Sequence, residues 1–459
     1  RDIYRKYGEG TDPLTSARLR LNANGPSRMP LKYGGGVEFG PPCLTHAWDR
    51  YLPFEKYGKE HPEWYSYRKK EGKRIGGIYT GQLCLSNPEL VPLLVRLVKE
   101  SIAKGNAEAH DKGFAEPVIY ALNMNDNKNY CECEACLAEI GKYGLSGQQL
   151  RFINAIATEV GKEHPDLRFR FSAYLYAEDP PKGGVKAADN VLVGIALTTS
   201  NLAGPIGDAK NEYIREMPLR WKDAATGLLM VADYGVTYWP TTFGWPFPSE
   251  FHIADKVRYY ADCGATYYFL ENEMVDASGR ERIEMDDMYE LKLYLARSLL
   301  EDPKADADVL VAEFMRRYYG AAGADVRAAR VLLEENRRAA TGSVSWFPRR
   351  FEFNWITDET IAGMLSRFDA AERAVAGDAR LELEKDRAAG KTFDLIVIDA
   401  YSGDSIPTHL TTREAMRLYR SMLAKGGMLA FHLSNWHMNL WPTVKAAAKE
   451  LELKVLGTV

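Results

Sequence analysis

Apolar and polar positions change period repeatedly along the chain, and each change marks an element. Leu90, Leu93, Leu94 and Leu97 recur at three- and four-residue spacing, as one buried helix face would. Asn87-Pro88-Glu89 ahead of them supplies an N-cap and a proline at the first helical position. Residues 118–122 then form a short apolar run, the pattern of a strand covered on both faces, which opens into Asn123, Asn125 and Asp126. Ser146-Gly147-Gln148-Gln149 reads as a capping box, and Leu150, Ile153, Ala157 and Val160 line the helix it starts. Further strands are predicted over residues 169–176, 191–197, 228–232 and 267–270, and Met288, Leu291, Leu295 and Leu299 mark another helix. Residues 302–340 read as helical and Ala-rich, and residues 346–355 as an aromatic, Arg-containing connector.

Alternation of strand and helix predicts parallel strands with helices packed outside them. Two features favour a (β/α)8 TIM-like barrel over an open doubly wound sheet. No G-x-G-x-x-G follows an early strand, and polar or acidic residues close strand after strand: Asn125 and Asp126, Tyr176 and Glu178, Asp233, Glu271 and Glu273. A barrel gathers such ends on one face. The expected organisation is a barrel over residues 1–300, a helical tail and connector over 301–376, and a truncated Rossmann-like α/β fragment over 377–459. In the last part residues 393–400 are a buried-type strand ending in an acid, Thr411-Thr412-Arg413-Glu414 offers a helix cap, and residues 428–433 are a second strand. No Gly-rich phosphate-binding turn precedes them.

Composition narrows the function classes. The 459 residues are too many for one compact core other than a barrel. Hydrophobic residues at 46% and charged residues at 27% are those of a globular protein, and no apolar run approaches the ~18 residues of a membrane span. A formal charge of −4, with basic residues spread thinly, argues against nucleic acid as a partner. The chain begins with Arg1, so its start reads as processed or truncated.

Sugar hydrolysis needs two carboxyl groups across a cleft, or one acid plus a group that steadies a neighbouring acetamido nucleophile. Asp126, Glu271 and Glu273 meet that need by position at strand ends; the alternative is that they cap helices or pair with lysines. Aromatic faces pack on the C–H faces of sugars. Tyr234, Tyr238, Trp239 and Trp245 lie in one aromatic segment after a predicted strand; so much aromatic surface in a loop with Pro240, Pro246 and Pro248 is hard to bury, which favours ligand contact over the alternative of a hydrophobic lid. Asn125, Tyr176 and Asp233 at strand ends, with His46 and Trp48 from an early segment, complete the candidate glycan-binding set. No cofactor is expected for this chemistry.

Of the six cysteines, Cys131, Cys133 and Cys136 crowd into YCECEAC. Three sulfurs at that spacing can converge, and a fourth ligand from elsewhere would complete a tetrahedral zinc site. A local disulfide and inert packing are the other readings.

His46 with Trp48, His61-Pro62-Glu63-Trp64, Gln82-Leu83-Cys84-Leu85-Ser86-Asn87-Pro88-Glu89, Asn125-Asp126 with YCECEAC, and Pro180-Pro181 together resemble the family named domain of unknown function 4838. The resemblance runs from about Thr15 to Ala376. It implies relation to glycoside hydrolases, including endo-acting β-N-acetylglucosaminidases, and therefore a barrel, a secreted or periplasmic setting and an N-acetylated glycan as substrate. It also implies that the barrel's first strands precede Arg1. From Gly377-Asp378-Ala379-Arg380 through residues 399–407 to His432-Leu433-Ser434-Asn435 the chain resembles spermidine synthase-like proteins. That resemblance implies an S-adenosyl-type ligand contacted by Asp378, with Asp399 and Asp404 facing an amine. With strands lost, the fragment is expected neither to bind that ligand nor to be active.

The leading expectation is thus a glycosidase-like barrel joined to an inactive fragment. A non-catalytic carbohydrate-binding barrel and an S-adenosyl-ligand enzyme are the alternatives. The join at residues 377–380 is expected to be chimeric.

Overall fold

The computed structural model describes residues 30–36, 39–235, 237, 245–271, 287–398, 412–431, 441–451 and 453. They form two compact units, one from residues up to 307 together with 341–354, the other from 308–340 together with the chain from 355 onward.

In the first unit a two-stranded antiparallel hairpin, β1 (Ser66–Arg68) and β2 (Lys73–Ile75), precedes helix α1 (Leu90–Lys112). Leu90, Leu94, Val98 and Ile102 of α1 are buried, and the predicted Leu93 and Leu97 pack beside them partly buried. A parallel sheet follows in chain order: β3 (Ile119–Ala121), β4 (Arg168–Ala173), β5 (Val191–Ala196), β6 (Leu229–Tyr234) and β7 (Ala265–Glu271). Helix α2 (Glu134–Gly161) links β3 to β4, α3 (Glu212–Trp221) links β5 to β6, and α4 (Ile253–Asp262) links β6 to β7. Helix α5 (Tyr289–Glu301) carries the predicted Leu291, Leu295 and Leu299 into the interior.

The capping box at residues 146–149 lies inside α2, where Gly144 breaks the helix with φ 77. A positive φ there favours glycine, and residues 146–149 fall in the second half of the helix that follows the break.

The sheet is a five-stranded parallel half-barrel, and no closure into eight strands is seen among the described residues. Local alternation identifies each strand–helix unit but does not count how many join one sheet. Phe39 adds a single parallel bridge to Ile119 at the β3 edge.

The two sheet faces differ. Phe171 meets Trp221 at a ring distance of 5.5 Å, and Phe169, Val193, Ile195 and Val231 join Ile153, Ile156 and Val160 in the layer between strands and helices. On the other face Ile119, Leu192 and Met230 pack with Phe39, Tyr267 and Phe269. Gly194 lies against the buried Arg170, whose Nε would be 3.3 Å from any added Cβ. A side chain at that position would displace the guanidinium.

In the second unit α6 (Ala307–Phe314, its first residue still in the first unit), α7 (Gly323–Ala339) and α8 (Asp358–Ala388) are followed by two parallel strands, β8 (Phe393–Ile398) and β9 (Leu423–Phe431). Helix α9 (Arg413–Ser421) connects them, its N-terminus capped by Thr412 through a 3.2 Å bond from the Ala415 amide. Ile396, Ile398, Met416, Tyr419 and Met422 form a small core, while Leu395, Val397 and Met428 face outward. Helix α10 (Trp441–Glu450) follows. Helix α8 runs through residues 377–380 without a break: one glycine among Ala, Leu, Glu and Arg costs a helix only about 1 kcal/mol. No described helix is long and apolar enough to cross a membrane.

Candidate functional site

The carboxyl ends of β3 and β4 carry the first group. Past β3 the chain runs Asn123, Met124, Asn125, Asp126, Asn127, and its odd-numbered asparagines are buried. Asn123 donates to Ser172 Oγ at 2.8 Å and to Thr45 Oγ1 at 3.0 Å. Gln82 clasps the loop: its Nε2 donates to the carbonyls of Asn125 and Asn127 at 2.9 Å each, and its Oε1 accepts from the Asn125 amide at 2.9 Å. Asn125 is 2% exposed and accepts from the Asp49 amide while donating to Gly81 O, each at 2.9 Å. It holds the loop in place.

Asp126 is the half-buried exception. Tyr174, just beyond β4, donates to its Oδ1 at 2.9 Å. The His46 ring lies 5.9 Å from that of Tyr174, and its Nδ1 is 3.2 Å from Met124 O. His46 has φ 56, a conformation that side-chain-bearing residues rarely adopt. Burial holds the imidazole below its ordinary value, against the opposing pull of the Asp126 charge, so it is neutral near pH 7.

Glu178 follows β4 by a single turn, Leu175–Ala177. Thr198 and Tyr213 donate to its two oxygens, each at 3.2 Å. Burial pushes its carboxyl above the ordinary value, outweighing those two donors. Its position among strand-end acids is visible in the sequence; the partners that tune it are not.

An aromatic group lies beyond β6. Tyr234 meets Trp346 edge-on at 4.8 Å, Trp245 meets Phe353 at 5.1 Å, and the Arg350 guanidinium is 5.8 Å from the Trp245 ring. Tyr176 lies 5.6 Å from Tyr130. Trp346, read from sequence as part of a connector, had no periodicity to tie it to the strand ends.

Two expected glycan contacts lie elsewhere. Trp48 is 1% exposed and packs edge-on against Phe152 at 5.7 Å, a core position. Asp233 shares the helix-facing side of β6 with Val231, where Lys256 of α4 is 2.7 Å from its Oδ2 and Tyr268 donates to the same oxygen at 2.5 Å. Burial first, and then the Asp233 charge, pushes the Tyr268 hydroxyl well up, so it remains a donor. Alternation along the strand sends residue 233 to one face and 234 to the other. Glu271 ends β7 in register with Tyr234. Its side chain and that of Asp378 lie outside the described residues, as do Glu273, Tyr238, Trp239, Asp399 and Asp404.

A second cluster joins the β3–α2 loop to the hairpin. The sulfurs of Cys84, Cys131, Cys133 and Cys136 all lie within 4.8 Å of one another, and such a cluster could hold a metal such as zinc. Cys84 is the fourth sulfur that YCECEAC lacks. The four are free thiols.

A family model described as "Domain of unknown function (DUF4838)" matches residues 2–330. A polyamine aminopropyltransferase of Vibrio vulnificus (strain CMCP6) is 37% identical over 57 residues, which are 12% of this chain and 19% of that protein. The chain thus spans about a fifth of the length of that relative.

Proposed function

We propose that this chain, which belongs to the DUF4838 family, acts as a glycoside hydrolase on N-acetylated glycans at the carboxyl ends of its parallel strands. One observation carries the proposal: Asp126 and Glu178, two acids in unlike environments, follow adjacent strands β3 and β4 on the same side of the sheet. Acid and base roles divide when surroundings push two carboxyls apart.

Glu178, biased toward its protonated form by burial, is suited to protonate the departing glycosidic oxygen. Asp126, steadied by the Tyr174 hydroxyl, is suited to hold an acetamido N–H or the positive charge that develops on the sugar ring. Glu271, ending β7, is a further acid of the strand-end set, and Tyr234, Trp245 and Trp346 supply faces for sugar rings. The setting implied by such a substrate is secreted or periplasmic. The β8–β9 pair has no part in this chemistry.

The test is release of reducing ends from a high-mannose N-glycoprotein by the full chain. Glu178→Gln and Asp126→Asn should each lower the rate at least ~100-fold. Glycan binding without turnover in the unaltered protein would select a non-catalytic carbohydrate-binding barrel, a function that the aromatic group alone could serve. Neither binding nor turnover would remove both readings.

A further inference from the structure

We propose that Cys84, Cys131, Cys133 and Cys136 form a tetrahedral tetrathiolate zinc centre that fastens the Asp126 loop to the β1–β2 hairpin. Zinc–sulfur bonds of ~2.3 Å arranged tetrahedrally place neighbouring sulfurs ~3.8 Å apart. Cys84 Sγ is 3.7 Å from Cys133 Sγ and 3.8 Å from Cys136 Sγ, and all four sulfurs lie within 4.8 Å of one another. A disulfide draws two sulfurs to ~2.05 Å. No pair in this cluster is so joined, and the four converge on a common centre.

The surroundings are those of a metal thiolate. The Tyr67 amide donates to Cys131 Sγ at 3.3 Å and the Ser86 hydroxyl to Cys136 Sγ at 3.2 Å. The Arg74 guanidinium lies within electrostatic reach of Cys84, Cys131 and Cys133. Four thiolates around a divalent ion leave two negative charges, and such donors compensate them. Cys84, Cys131 and Cys136 are buried, with Cys133 partly so, which shields the sulfurs from solvent and leaves no open coordination position for a substrate. The role is therefore structural rather than catalytic.

The position gives the centre its consequence. Cys84 follows the Tyr65–Leu83 bridge beside the hairpin, and the other three cysteines lie between the asparagine loop and the first turn of α2. The Glu132 amide also donates to Tyr67 O at 2.8 Å. Metal at this point closes the long loop from Cys84 to Cys131 and fixes the stem of the segment that presents Asp126. The inference stands on the sulfur geometry and is independent of the glycosidase proposal.

Full-length protein, purified without chelator, should contain about one zinc per chain by elemental analysis. Cobalt(II) exchanged for it should give the sulfur-to-metal charge-transfer and intense visible bands of a tetrahedral thiolate site. Cys84→Ser should lower metal affinity at least ~10-fold, whereas Cys263→Ser, remote from the cluster, should retain it. If Cys84→Ser does not fold, the cobalt spectrum of the unaltered chain decides alone. Metal-free protein that remains so after incubation with zinc and whose four thiols alkylate readily, disulfides among the four by non-reducing mass analysis, or a cobalt spectrum lacking thiolate bands would overturn the proposal.

Discussion

Tyr174 donates its phenolic hydrogen to Asp126 Oδ1 at 2.9 Å, tying the turn after β4 to the loop after β3. A hydrogen bond to a charged acceptor contributes about 1.5–3 kcal/mol. Tyr174→Phe keeps the ring and its contact with His46 but leaves Asp126 to solvent. Because the site is half-buried, solvent takes over part of that bond and the expected loss of stability falls below this range, to about 1 kcal/mol, by urea unfolding. Glycan turnover should fall more steeply than stability.

The Asp233–Lys256–Tyr268 group is an interior ion pair with side-chain exposures of 4% for Asp233 and 9% for Lys256. Lys256→Met leaves a buried carboxylate held only by the neutral Tyr268 hydroxyl and Tyr234 amide and should cost about 3–5 kcal/mol in chemical denaturation. Asp233→Leu combined with Lys256→Met should recover much of that loss. A near-zero effect of the single substitution would mean that Asp233 reaches water.

Glu178 sets a pH dependence of known sign. Its folded value is raised above the ordinary 4.5, so the fold favours the protonated acid. Its contribution is fully present below the ordinary value and is lost as pH rises through the raised one. Stability measured against pH should therefore decline less over that window in Glu178→Gln than in the unaltered chain. Turnover, if Glu178 is the proton donor, should fall on the alkaline side of the same window.

Gln82 is 2% exposed and satisfies three backbone groups of the asparagine loop. Gln82→Leu would strip the Gln82 bonds from the Asn125 amide and the Asn127 carbonyl, each at a cost of about 1–3 kcal/mol, and leave the Asn125 carbonyl with the Asn127 amide at 2.8 Å. Loss of several kcal/mol is expected, together with faster amide exchange at Asn125. Unchanged exchange there would show that the loop is held by its other contacts alone.

Much of the local structure was legible in the chain because it is specified within a few residues. The leucine spacing of α1, the apolar run of β3 and the Thr412 cap each act over less than two helical turns. The expected join at residues 377–380 lies within the continuous helix α8, where helix formers on either side carry the helix past Gly377. Strand-end placement of Asp126 and Glu178 was likewise readable, since each follows its strand directly. The parity of Asp233 was not. Its two-residue phase with Val231 is in the sequence, but which phase faces the helices depends on the layer packed there.

The sequence by itself determined the order of strands and helices, the globular composition and a three-cysteine cluster waiting for a fourth ligand. Tertiary structure decided that Cys84 joins that cluster, that Tyr174 meets Asp126, that Lys256 takes Asp233 into the interior, and that five strands form the half-barrel. Periodicity and capping are local preferences, written in neighbouring residues. Which distant side chains meet depends on strand register and on the face each strand turns to its helices, and those are fixed only when the whole core packs.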